Sequence, residues 1–171
     1  LQHADVLLLS EVDWGMARSA NRHVARDLAA ALGMHGVFGI EFVELTKGTA
    51  AEQHVSGENT RHLHGNAILS RYPLHTPCLV RLPAFWHWQG STETRIGGRM
   101  ALSAVLHSQA GPVTVVSTHL ENRTPPAGRS AQMQALLHAL PLQGAVIIGG
   151  DLNTATIDAG QDTDILSLPH L

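Results

Sequence analysis

The chain has 171 residues, 44% of them hydrophobic and 15% charged, which fits one globular domain with a real core and excludes a disordered chain. Its formal net charge of −3 leaves no electrostatic footprint for sequence-independent capture of duplex DNA. Apolar runs such as Val6 to Leu9 and Ala145 to Ile148 fall far short of the ~18 residues that cross a bilayer, so no integral membrane segment is expected. The single cysteine, Cys78, excludes an internal disulfide and any multi-cysteine metal cage.

Ala4 to Leu9 is a continuous apolar run of strand length that ends at Ser10-Glu11, which places Glu11 at a strand's carboxyl end. Ser19 can cap a helix whose apolar side, Ala20, Val24, Leu28, Ala31 and Leu32, repeats at three and four residues, and Gly33 can close it. Val37 to Leu45 alternates well enough to read as a strand, with Phe38, Ile40, Phe42 and Leu45 set against polar Glu41 and Glu44. The polar stretch Thr46 to Arg61 is long for a connection and reads as a surface loop or a functional one. His64 to Ser70 is a buried strand, Arg71-Tyr72-Pro73 turns the chain, and Thr76 to Leu82 is expected to return as its hairpin partner. Pro83 to Gly98 is a loop whose Phe85, Trp86 and Trp88 could cover a site. Arg99 to His107 and Pro112 to Thr118 form a second hairpin, residues 129 to 140 a helix, and Gly144 to Gly150 a short apolar strand running into Asp151.

Glu11 and Asp151 each follow directly on an apolar strand, where side chains gather in open α/β structures. Carboxylate oxygens suit magnesium or manganese, which keep several waters and take one or two protein carboxylates. Asn153 can point the same way as Asp151 and offers an amide to orient a phosphate or a water. An acid after a strand is also an ordinary turn former. His119 ends the strand Val113 to Thr118, where an imidazole can donate a proton to a leaving oxygen or bind developing charge, although a lone histidine is commonly structural. His62 and His64 alternate but lack a third metal ligand, and Cys78 has no basic partner that would make it a nucleophile. Ser10, Ser70 and Ser117 lie outside any Gly-x-Ser-x-Gly elbow, and neither phosphate-binding glycine pattern occurs, which argues against serine hydrolases, nucleotide triphosphatases and dehydrogenases.

Ser10-Glu11, His64-Gly65-Asn66-Ala67-Ile68-Leu69-Ser70-Arg71, Ser117-Thr118-His119-Leu120 and Gly149-Gly150-Asp151-Leu152-Asn153-Thr154 follow one another in that order. In this combination the chain resembles the endonuclease/exonuclease/phosphatase superfamily, the deoxyribonuclease-I-like phosphodiesterases. The resemblance implies an α/β fold of two mixed β-sheets packed as a sandwich with helices on the outer faces. It implies one domain over residues 1–171, with a first strand expected before Leu1 and a terminal aspartate-histidine pair expected beyond Leu171. By it, Glu11 and Asp151 would hold Mg2+ or Mn2+, and His119, Asp151 and Asn153 would be catalytic. Asn66 and Arg99 would lie on the substrate side. Glu11, His119, Asp151 and Asn153 are expected to meet in one cleft.

The function so implied is metal-dependent hydrolysis of phosphate esters by a phosphodiesterase or nuclease, with nucleic acid among the candidate substrates. Alternatives are a phosphatase or phospholipase acting on a lipid or small phosphorylated molecule, and a binding module that retains the fold without catalysis. No targeting segment is legible; a soluble, cytoplasmic protein is the default expectation, and the oligomeric state is open.

Overall fold

In a computed structural model, which describes residues 3–140 and 144–154, the chain runs β1 (Val6–Trp14), α1 (Val24–Leu32), β2 (His35–Glu44), β3 (Leu63–Ser70), β4 (His75–Arg81), β5 (Arg95–Gly97), β6 (Met100–Ser108), β7 (Gly111–His119), α2 (Pro126–Ala139) and β8 (Ala145–Asp151). The strands form two four-stranded sheets, one in the order β1-β3-β2-β5 and the other β4-β6-β7-β8. All pairings are antiparallel except β7 with β8.

Apolar side chains explain the layering. Ile68 of the first sheet packs against Met100, Leu102, Ala104 and Val115 of the second, forming the core between the sheets. Ala25 and Ala29 of α1 pack on the opposite face of the first sheet, beside Val12, Ala67 and Leu69. Met133 and Leu136 of α2 cover the second sheet at Ala101 and Val116. The helices therefore lie outside the sandwich, as the resemblance implies. α1 begins later than Ser19 predicts: the imidazole of His23 accepts the Arg26 N–H at its start, and Gly33 closes it with a φ of +63°.

Two expectations change. The turn after Ser70 does not make a hairpin, because both edges of β3 are already taken by β1 and β2; β4 crosses to the second sheet and pairs with β6. In β2 the polar residues are the buried ones: Glu41 is 1% and Glu44 0% exposed, whereas Leu45 is 52% exposed. Glu41 continues the inward alternation of Val37 and Gly39, and a bulge between Ile40 and Phe42 then turns Phe42 and Glu44 inward as well, since one extra residue moves the following side chains to the other face. Gly65 of β3 allows the strands to approach there, because a Cβ on it would lie 1.9 Å from the Gly39 carbonyl oxygen.

Candidate active site

β1 does not end at Glu11 but continues to Trp14 through a bulge between Leu9 and Val12. Glu11 sits in that bulge with φ +57° and an exposed side chain. The preceding Ser10 links the two sheets: its hydroxyl donates to the Thr118 carbonyl at 3.3 Å and accepts the Asp151 N–H at 3.1 Å. Glu11 is therefore adjacent in the chain to a direct contact with Asp151.

The parallel register of β7 and β8 pairs His119 with Asp151, and the His119 Nε2 lies 3.8 Å from the Asp151 Oδ2. Gly150 makes this approach possible: its φ is +128°, and a Cβ there would fall 2.0 Å from the Thr118 carbonyl oxygen. Asp151 is half exposed, so its carboxylate faces outward while the imidazole beside it is buried. Asn153, at φ +52°, donates its N–H to the Asp151 Oδ1 at 2.8 Å and its Nδ2 to the Leu120 carbonyl at 2.7 Å, which holds the turn after β8.

Asn66 and Arg99 stand inside the sandwich. Asn66 is fully buried and its nearest acceptor is the Met100 carbonyl, 3.4 Å from Nδ2. Arg99, 4% exposed, donates from Nη1 to the Glu41 Oε1 at 2.9 Å and from Nε to the Glu121 Oε2 at 3.4 Å. The same Nη1 lies 2.7 Å from the His119 Nδ1. Trp88 is buried rather than a lid residue: its indole N–H donates to the Glu121 Oε2 at 3.0 Å, and its ring lies 5.9 Å from that of Phe42. Phe85 and Trp86 remain exposed, with the Arg123 guanidinium 5.7 Å from the Trp86 ring.

Burial sets the protonation of this interior. It pushes Glu41 up to about 7, against the opposing pull of Arg99. It also pushes His119 down to about 3, helped by the Arg99 charge, so the imidazole is neutral near pH 7. Glu41 binds its proton more tightly folded than unfolded, so its contribution to stability is present at low pH and lost as pH rises through about 7. Relative to wild type, Glu41→Gln is expected to gain stability across pH 4.5 to 7 at about 1 kcal/mol per pH unit, one proton's linkage. Urea unfolding at several pH values checks this; parallel curves for the two proteins would contradict it.

Glu11 lines a polar cleft of about 320 Å³ with Asp13, Arg18, Glu44, His64 and Arg95, and His119, Asp151 and Asn153 are not among that cleft's lining residues. Arg18 grips both oxygens of Asp13, at 2.8 and 2.9 Å, and the His64 Nδ1 lies 2.8 Å from the same carboxylate. Burial works to raise the Asp13 carboxyl, but these hydrogen bonds outweigh it and hold the group far below the usual carboxylate range. His64 is thus tied to Asp13, while the His62 Nδ1 donates to the Glu44 carbonyl at 2.8 Å, so the two histidines do not share one ligand site. Glu41, Glu121 and Asp13 were not singled out by sequence reasoning. Glu121 has a signal, two residues beyond His119 in the same motif; Glu41 has none, because it shares the inner face of β2 with Val37 and Gly39 while the larger side chains of Phe38 and Ile40 lie on the other.

Glu11 and Asp151 suit a hard divalent cation by their chemistry, since both are solvent-accessible carboxylates, and they would be the residues to hold it. Among the described residues there is no group of three or more metal-binding side chains.

A two-sheet sandwich with His119 set beside Asp151 at the ends of β7 and β8 is consistent with the fold of the phosphoester-hydrolase class. The family model described as "Endonuclease/Exonuclease/phosphatase family" matches residues 1–164, and the chain belongs to that family. No curated protein matches. Among solved structures, an endonuclease/exonuclease/phosphatase from Beutenbergia cavernae DSM 12333 is similar with a TM-score of 0.64 and 24% identity over 91% of this chain and 40% of its own. A family protein from Leptotrichia buccalis C-1013-b gives a TM-score of 0.66 at 16% identity, over 98% of this chain and 63% of its own. The human Nocturnin catalytic domain with bound sulfate gives 0.56 at 24% identity, over 87% and 51%. At these identities the likeness concerns the fold, and the chain spans less than two thirds of the length of each.

Proposed function

We propose that this chain carries out metal-dependent hydrolysis of phosphate esters, as a phosphodiesterase or nuclease. The observation that supports this most is the pairing of His119 with Asp151 across β7 and β8, with Ser10, the chain neighbour of Glu11, bonded to the Asp151 backbone. The accessible carboxylate of Asp151 is suited to accept a proton from, or align, an attacking water. His119 Nε2, buried and neutral, is suited to donate a hydrogen bond to a phosphoryl oxygen or to the leaving oxygen. Asn153 holds Asp151 by its backbone N–H, which limits the carboxylate's freedom. Magnesium or manganese held by Glu11 and Asp151 would neutralise charge on the phosphoryl oxygens.

The net charge of −3 favours substrates that need few phosphate contacts over a long nucleic-acid duplex. The test is release of p-nitrophenol from bis(p-nitrophenyl) phosphate by the full reading frame containing this chain, with magnesium, with manganese and with a chelator. Turnover that requires the metal supports the reading. Absence of turnover with either metal would favour a binding module that retains the fold.

A further inference from the structure

We propose that Arg99 is a positioning residue that holds His119 in the tautomer protonated at Nε2, with that proton directed toward Asp151. The inference rests on the reading of His119 as the hydrogen-bond donor of the active site, and its geometry is independent of any ligand.

An arginine side chain has only donors and stays charged in proteins. At 2.7 Å from Arg99 Nη1, the His119 Nδ1 must therefore be the acceptor, and a ring protonated at Nδ1 would oppose two N–H groups. A neutral imidazole with a bare Nδ1 carries its proton on Nε2, the atom that lies 3.8 Å from the Asp151 Oδ2. The arginine cannot easily swing away. Its guanidinium is held by Glu41 and Glu121, reaches the Asn122 Oδ1 at 3.5 Å, and lies 5.6 Å from the rings of both Phe42 and Trp88. Glu121 is fixed in turn by the Trp88 indole N–H and by the backbone N–H of Arg123 at 2.9 Å.

Glu41 offers the competing arrangement. Its Oε2, 3.9 Å from the His119 Nδ1, accepts no hydrogen bond and is buried. Without the arginine, the ring would turn its proton to Nδ1 and donate to Glu41, leaving a bare Nε2 facing the site. Arg99 thus prevents a histidine-carboxylate pair from forming on the wrong nitrogen. The same residue, placed on the substrate side by resemblance, acts here through His119 rather than on a substrate.

The test is a two-bond 1H–15N correlation spectrum of the full reading frame labelled with 15N-histidine, in which His119→Gln identifies the His119 signals. The expected wild-type result is a protonated Nε2 and a bare Nδ1. Arg99→Met is expected to switch the proton to Nδ1 and to lower kcat about 10²-fold or more with a smaller change in KM, since a wrong tautomer cannot donate. If that variant fails to fold with Glu41 uncompensated, Arg99→Met combined with Glu41→Gln removes the Arg99–Glu41 pair, Glu121 keeping its bonds from the Trp88 indole and the Arg123 N–H, and the same switch is expected. A wild-type ring protonated at Nδ1 or at both nitrogens would overturn the proposal, as would an unchanged tautomer in either folded variant. The Nε2–H tautomer without phosphodiester turnover would keep the positioning role and remove the hydrolase reading; turnover with an Nδ1–H ring would do the reverse.

Discussion

Asp151→Ala is expected to lower phosphodiester turnover at least ~10²-fold, a loss of about 3 kcal/mol of transition-state stabilisation, while leaving the fold intact. Its side chain is half exposed, so removal leaves no buried charge behind. Among the described residues, the structural loss is the hydrogen bond that Asp151 Oδ1 accepts from the Asn153 N–H, about 1 kcal/mol. Function and stability should therefore separate in this variant: kcat/KM falls steeply and the urea midpoint moves little. A variant with near wild-type turnover would reduce Asp151 to a turn former.

The opposite pattern is expected from Gly65→Ala. The added Cβ would meet the Gly39 carbonyl oxygen at 1.9 Å and the Glu41 nitrogen at 2.9 Å, both backbone atoms that no rotamer change can move. β3 is paired on both sides, so it cannot shift from β2 without disturbing β1. Overpacking of this kind commonly costs about 1–3 kcal/mol, and contact with backbone on a central strand places the expected loss at the upper end or beyond. Because Glu41 leaves the strand at the same place and holds Arg99, the damage should also reach His119. Denaturant unfolding would decide it; a loss below about 1 kcal/mol would mean that the bulge absorbs the methyl group.

What could be seen in the sequence follows from how local each feature is. The apolar runs of β1, β3 and β8 and the hairpin of β6 and β7 declare themselves within a few residues, and the motifs at Glu11, His119 and Asp151 stand at their ends. The partner of β4 could not be seen locally, because it depends on which edges of β3 remain free after β1 and β2 have paired. Periodicity likewise misplaces Glu41 and Glu44 on an outer face: Glu41 because the Phe38 and Ile40 face reads as the inner one, and Glu44 because a bulge is one residue that the alternation rule does not count. The short β5 was read as loop because three residues carry too little pattern, yet its pairing with Phe42 to Glu44 helps enclose Arg95 and Arg99. Burial of Arg99 was hidden for a related reason: an arginine after Gly97-Gly98 reads as surface until Trp88, Glu41 and Glu121 are brought around it from three distant segments.

The backbone of Glu11 has a left-handed conformation that a residue with a side chain adopts at a cost of about 1–3 kcal/mol. Glycine would occupy the same bulge without that penalty. Folding therefore sets where this side chain leaves the backbone: the bulge and the Ser10 contacts beside it fix the direction of its Cα–Cβ bond. Beyond Cβ the side chain is exposed, so any ligand that Glu11 meets encounters a carboxylate whose root is placed by the backbone and whose remaining rotamer freedom is given up on binding.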